Sequence, residues 1–316
     1  MSNKVFAVVT FSVAIALVAV TQLIPNEYFF SAAYTVLLFV ILATAWNILG
    51  GYTGYVNFGS AAFFAIGAYT TVFFYNAFKA PLAVGIVAGT LVAGLAGLGL
   101  GYLTLRLRGV FFAIASLALS VVLYIFIVNW DYVGGARGAY VLQPRDVPFG
   151  LPRYIHLIYA VQLVMAAFAL VVARAIEKST LGRGLAAIRD DELAAECSGV
   201  PTLRLKIFST MVSCALMGMA GTTFPYYLSY IEPSSAFSLS YAVNSIAMPL
   251  IGGMMSWTGP LIGAILLGTV QQLVQVTVSS AWNLLIVGVL LVLFVTLAPN
   301  GIMGWVEAWR RRKERR

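Results

Sequence analysis

Charge is what this 316-residue chain has least of. Lys, Arg, Asp and Glu together make up 9% of it, where soluble domains carry about a quarter. No charged residue separates Glu27 from Lys79, and none separates Glu232 from Glu307. With 61% hydrophobic residues and a mean hydropathy of +0.93, the composition excludes an ordinary soluble domain and defines an integral membrane protein. Histidine and cysteine are almost absent. His156 stands alone, and Cys197 and Cys214 show neither metal-ligand spacing nor a disulfide framework, so no metal site is expected. No G-x-x-x-x-G-K-[ST] phosphate loop occurs, which excludes ATP hydrolysis by this chain. No acid/base pair, activated nucleophile or metal cluster lies in or beside the apolar runs. A membrane enzyme is therefore the weakest reading, and no catalytic residue is assigned.

What is present is long apolar sequence. Runs fall near 5–24, 32–50, 60–78, 81–104, 110–128, 154–173, 207–230, 241–254, 259–278 and 282–298. A membrane span needs about 20 mainly apolar residues. The expected fold is therefore all-α: a polytopic transmembrane bundle of about ten spans in a single domain over 1–309, with a basic tail at 310–316. The run at 241–254 is short and fits a tilted or broken helix. Lys4 precedes an apolar run too long for a signal peptide, and Gln22-Leu23-Ile24-Pro25 offers no small-x-small cleavage site, so this run reads as a retained span. Ten crossings put Lys4, Arg106, Arg108, the segment 174–206 and the arginine tail on one face. The positive-inside rule makes that face cytoplasmic, as in a bacterial-type inner membrane, with both termini inside. The net charge of +8 is then a topology signal and not a nucleic-acid surface.

Two places interrupt the apolar pattern in similar ways. Leu49-Gly50-Gly51-Tyr52-Thr53-Gly54-Tyr55-Val56-Asn57-Phe58-Gly59 leads into Gly67-Ala68, and Ile251-Gly252-Gly253 through Gly259-Pro260 leads into Gly263-Ala264. Broken helices are frequent in transporter cores, where freed backbone groups line a substrate path; glycines also simply allow close helix packing. A break is expected near the first site. Its polar residues Asn47, Tyr52, Thr53, Tyr55, Asn57 and Ser60, with Asn244 and Gln271 later, are candidate path-lining groups. Ser245, Gln272 and Gln275 form a weaker second set. Polar residues within spans also serve as interhelical bonds, so each carries both readings. A path without fixed charges suits a neutral or zwitterionic solute.

Charge is concentrated between Arg174 and Lys206. Within this segment, Leu181, Leu185, Ile188 and Ala195 recur at helical spacing, and Gly199 with Pro201 forms a stop signal. A helix of about four turns is marginal alone in water, so it is expected to dock on something.

The residues Glu192-x-Ala194-Ala195…Gly199 resemble the coupling motif of ABC importer membrane subunits. Gly182-Arg183 through Ala187-Ile188-Arg189-Asp190-Asp191-Glu192 is similar to the branched-chain amino acid permease family, of the LivM type. The likeness extends to Trp46-Asn47 through Gly59, Phe63-x-x-x-Gly67-Ala68-Tyr69, Gly134-Gly135-x-x-Gly138, Pro249 through Ala264, and Pro299-Asn300-Gly301. Gly59-Ser60 departs from a Gly-His pair common in that family, which leaves the substrate open, and Cys197-Ser198 replaces apolar residues. The resemblance implies one membrane subunit of an importer. Its partners would be a second homologous permease, two cytoplasmic ATPase subunits that use ATP and Mg, and an extracytoplasmic binding protein. No cofactor would be held by this chain itself. It also implies ATPase coupling through Gly182, Arg183, Ala187, Arg189, Asp191, Glu192, Ala194, Ala195, Glu196 and Gly199. The loop 129–153, with Asp131 and Arg137, would face the binding protein. An ion-coupled carrier or a passive channel remains the alternative.

Overall fold

The computed structural model describes residues 3–20, 26–104, 109–143 and 153–277, with isolated positions between 285 and 305. Thirteen α-helices, two short 3-10 helices (Asp131–Val133 and Gly135–Arg137) and one two-stranded ribbon are assigned within the first four of these stretches. The long helices are α1 (Asn3–Val20), α2 (Glu27–Thr53), α3 (Ser60–Phe78), α4 (Leu82–Thr104), α5 (Val110–Val128) and α6 (Tyr154–Glu177). The charged segment forms α7 (Thr180–Asp190) and α8 (Glu192–Cys197). After it come α9 (Thr202–Gly221), α10 (Phe224–Leu228), α11 (Pro233–Ala236), α12 (Leu239–Gly252) and α13 (Thr258–Thr277). Seven of the described helices are long and apolar enough to cross a membrane. α1 and the 14-residue α12 are apolar but shorter. The expected tenth run, 282–298, and the basic groups at Arg106, Arg108 and 310–316 lie outside the described residues, apart from isolated positions in that run.

α2 is the central helix. From Leu38 to Thr53 every side chain is buried, as expected for a helix apolar on all faces. α6, α9, α12 and α13 surround it. Water drives none of this packing inside a bilayer, so close van der Waals fit and interhelical hydrogen bonds must do so. Both are visible. The Ser213 hydroxyl of α9 donates to the Ala45 carbonyl of α2 at 2.7 Å. Where α3, α4 and α9 cross, a β-carbon on Gly67 would run into the Gly218 carbonyl, and one on Gly221 would run into that of Phe64.

Three elements differ from the sequence reading. The run 207–230 is not one helix: α9 stops at Gly221 and α10 restarts at Phe224 with Pro225 in its first turn, where a proline costs no hydrogen bond. The segment 179–201 is not one helix either. Asp191 is extended (φ −162°, ψ 110°) between α7 and α8, and its carboxylate accepts the Ala194 N–H at 3.0 Å. An aspartate is better used as an N-cap than inside a helix. Finally, helix persists past the apolar runs at both ends of the charged segment, so Arg174 and Glu177 belong to α6 and Lys206 to α9.

At the end opposite the charged segment, β1 (Ala139–Tyr140) pairs antiparallel with β2 (Tyr230–Ile231), with Ala139 opposite Ile231. This ribbon ties the loop after α5 to the connection after α10. Asp131 and Arg137 lie on its exposed side, and the Tyr230 hydroxyl donates to the Arg137 carbonyl at 2.8 Å.

Candidate functional site: a charged segment clamped to two glycine breaks

The two glycine-rich interruptions and the charged segment lie far apart in sequence and meet at one end of the bundle. α2 ends at Thr53, closed by Gly54 in the left-handed conformation (φ 79°), and the chain runs to α3 with Tyr55, Asn57 and Gly59 buried and Gly54 and Val56 exposed. A buried connection must satisfy its own polar groups. Gly59 N–H reaches Asn57 Oδ1 at 2.7 Å, Trp46 Nε1 donates to the Asn57 carbonyl at 2.9 Å, and Phe58 N–H donates to Ser116 Oγ at 3.0 Å. Thr53 Oγ1 donates to the Leu49 carbonyl at 2.6 Å, and Ser60 Oγ donates to that of Asn57 at 3.4 Å. The second interruption packs directly beside it. Asn47 Nδ2 donates to the Ser256 carbonyl at 3.3 Å, and a β-carbon on Gly51 would crowd the Met254 carbonyl.

Four side chains from the charged segment and its flanks hold this junction. Glu177 Oε2 accepts the Trp257 N–H at 2.6 Å and the Tyr52 hydroxyl at 3.3 Å, which joins α6 to the start of α13 and the end of α2. A carboxylate at the N-terminal end of α13 is also favoured by the helix dipole. Arg189 Nη1 donates to the Gly51 carbonyl at 3.4 Å. Glu192 accepts the Tyr55 hydroxyl on Oε2, and Lys206 Nζ lies 2.5 Å from its Oε1. Lys206 Nζ is also 3.3 Å from the Tyr55 hydroxyl. Beside this junction, Arg174 sits over the rings of Phe6 and Trp257, with its guanidinium carbon 4.0 Å and 5.4 Å from their centroids.

The Lys206 side chain is 3% exposed and that of Glu192 14%. Removing one partner of a buried pair leaves an uncompensated charge and costs about 3–5 kcal/mol. Lys206→Met with Glu192 kept should therefore lower the melting temperature by several degrees, and Lys206→Met with Glu192→Gln should recover much of it. Thermal unfolding in detergent measures both.

The segment has two faces. Leu185, Ile188 and Ala195 are buried, and a β-carbon on Gly182 would strike the carbonyls of Ile176 and Glu177. Leu181 of the same stripe is exposed, as are Arg183, Asp191, Leu193, Ala194, Glu196 and Gly199. Ala187 and Arg189 are half-buried. Gly199 closes α8 with φ 82°, a conformation glycine adopts freely. Glu196 accepts the Thr202 hydroxyl at 2.7 Å. The ten coupling residues expected from sequence thus lie together on one short stretch, some turned inward and some outward.

The path residues expected from sequence divide differently. Asn47, Tyr52, Thr53, Tyr55, Asn57 and Ser60 all belong to the buried junction. Asn244 and Gln271 bond to each other between α12 and α13, with Gln271 Nε2 donating to Asn244 Oδ1 at 2.7 Å. None of these eight lines the cleft of about 630 Å³ at the opposite end of the bundle. That cleft lies among α2, α10, α11, α12 and α13, and its polar lining includes Ser31, Thr35, Tyr227, Tyr241, Gln272 and Gln275, without a charged side chain. Behind it, the buried Thr223 hydroxyl donates to Gln162 Oε1 at 2.8 Å and lies 3.0 Å from the Tyr34 hydroxyl. The Tyr34 ring stacks on Tyr227 at 4.1 Å. Gln272 and Gln275, from the weaker second set, do line this cleft, whereas Thr223 and Tyr227 were missed because residues 207–230 read as one span; Pro225 was the available signal for the break.

A bundle of apolar helices with one charged segment clamped to its end is the architecture of a multi-pass integral membrane protein. Residues 28–295 match the family described as branched-chain amino acid transport system / permease component, and the chain belongs to that family. It is 26% identical over 291 residues to the high-affinity branched-chain amino acid transport system permease protein LivM of Escherichia coli (strain K12), with 84% of this chain and 68% of that protein covered. The LivM protein of Salmonella typhimurium gives the same figures. A probable branched-chain amino acid transport permease protein LivH of Methanocaldococcus jannaschii is 24% identical over 293 residues, covering 87% of this chain and 91% of that protein. No solved structure matches the chain.

Proposed function

We propose that this chain is the membrane-spanning permease subunit of an ATP-driven ABC importer in a bacterial-type cytoplasmic membrane, with both termini on the cytoplasmic side. It moves a small neutral or zwitterionic solute by alternating access. Branched-chain amino acids come first as cargo, followed by urea, amides and other amino acids. The observation that carries the reading is the two-faced coupling segment: α8 presents Leu193 and Ala194 outward, while Glu192 and Ala195 on the same helix are turned into the bundle. The inner face of α8 is bonded through Glu192 to Tyr55, just after α2, and to Lys206 of α9, so a partner seated on its outer face would be linked to the bundle. ATP and Mg are used by two separate ATPase subunits, one of which seats on α8. A second homologous permease completes the pathway, and a solute-binding protein docks near Asp131 and Arg137.

The uncharged cleft supports a path for a solute without net charge. Its serine, threonine, tyrosine and glutamine groups are costly against lipid and useful against a polar cargo. Asn57 Nδ2, buried and without a partner among the described residues, marks the inner end of the same path with Asn47 and Ser60. Gln272→Leu together with Gln275→Leu should lower solute flux severalfold while the ATPase subunits still copurify; unchanged flux would remove the cleft from the path.

The decisive experiment is uptake by the reconstituted complex. Uptake should stop on ATP depletion and survive collapse of ion gradients. An ion-coupled carrier gives the reverse, and a channel needs neither.

A further inference from the structure

We infer that Glu192, with Tyr55 and Lys206, is an internal lock that makes α8, the start of α9 and the α2–α3 connection move as one body, and that its carboxylate is not a contact for the ATPase. The inference rests on the reading of this chain as an importer subunit. Both carboxylate oxygens are engaged from within the bundle, Oε1 by Lys206 at 2.5 Å and Oε2 by the Tyr55 hydroxyl. One helical turn on, Ala195 is buried too, whereas Leu193, Ala194, Glu196 and Cys197 face outward. The face that carries Glu192 is therefore not the face that α8 offers to a partner.

The lock joins three elements with no sequence proximity. Tyr55 belongs to the connection after α2, Glu192 opens α8, and Lys206 lies in the second turn of α9. The Lys206 ammonium also sits 4.9 Å from the centroid of the Tyr55 ring, whose edge-on contact with Phe112 fixes its position (5.5 Å between ring centroids). Moving α8 away from α9 separates opposite charges in a low-dielectric site, which is strongly opposed. A push on α8 is delivered to the head of α2 instead of being lost in a hinge. α2 is 27 residues long and spans about 40 Å at 1.5 Å per residue. Its far half supplies Ser31, Thr35 and Leu38 to the uncharged cleft. The central helix thus connects the lock to the cleft as a single rigid element. Glu177 and Arg189 hold neighbouring points of the same connection and keep it from swivelling.

The test uses the whole importer in proteoliposomes, with unmodified chain, Tyr55→Phe, Glu192→Gln, and the exchange Glu192→Lys with Lys206→Glu. Copurifying ATPase, ATP hydrolysis and solute uptake are measured on each. Tyr55→Phe and Glu192→Gln are expected to retain the ATPase subunits but to lose at least fivefold in solute moved per ATP hydrolysed. The exchange is expected to return that ratio to within twofold of the unmodified protein. Tyr55→Phe deletes one hydroxyl and keeps the ring on Phe112, so it reports even if Glu192→Gln fails to fold. Release of the ATPase subunits by Glu192→Gln in a folded bundle would make Glu192 a partner contact and overturn the inference. So would an unchanged uptake ratio in both single variants. Uptake by the unmodified complex without ATP would instead overturn the importer reading itself.

Discussion

Leu193→Asp is expected, on the proposed importer function, to release the ATPase subunits and to reduce ATP-driven uptake at least a hundredfold, with the yield of the chain itself unchanged. Leu193 is 59% exposed on α8, and the buried side of that helix is carried by Glu192 and Ala195. The substitution therefore leaves the Glu192–Lys206 pair and the junction with α2 untouched. At a docked interface a leucine contributes about 1.5–3 kcal/mol by burial. An aspartate in its place adds the cost of an unpaired desolvated charge, which is larger. A hundredfold loss corresponds to about 2.7 kcal/mol, so the two effects together suffice. Copurification and uptake measure the result. Full assembly with Leu193→Asp would move the docking surface away from α8. Cys197, exposed on the same helix, offers a parallel check by cross-linking to the partner.

Gly218→Leu is expected to abolish the folded chain. At the crossing of α3, α4 and α9 the backbones themselves are in contact. A β-carbon at Gly218 would overlap that of Ala93, one at Gly89 would overlap the Thr222 methyl, and Gly67 faces the Gly218 carbonyl with no space for a side chain. Overpacking by single methylenes costs about 1–3 kcal/mol. A full leucine must push two helices apart along a contact whose close van der Waals fit helps hold them together in lipid. Size-exclusion chromatography in detergent should show no monodisperse peak. Gly99→Leu is the control: its β-carbon would meet nothing within 4 Å, and the variant should behave as the unmodified protein. Equal behaviour of the two leucine variants would mean that the crossing is not what holds these helices.

The membrane class, the helical content and the boundaries of most long helices were legible in the sequence, because apolar run length and missing charge report directly on bilayer burial. The helical character of the charged stretch was legible from its spacing and its Gly199-x-Pro201 stop. The split at Asp191 was not, since whether an aspartate caps or continues a helix depends on where the chain can turn to bury Ala195. Glu177 and Lys206 read as loop charges because each lies outside an apolar run. Only packing supplies the Trp257 N–H, Tyr52, Tyr55 and Glu192 that let these charges sit inside helices.

What the sequence determined alone is the kind of molecule and the place where its charge is kept. Both depend on composition and local periodicity, which need no knowledge of distant contacts. What the tertiary structure decided is that the two glycine interruptions and the charged segment form one junction, and that the polar cleft lies at the other end of α2. Those facts depend on residues more than a hundred positions apart meeting across a bundle, such as Gly51 with Arg189 and Tyr55 with Glu192. Run length and spacing carry no signal for which helix ends will share a face.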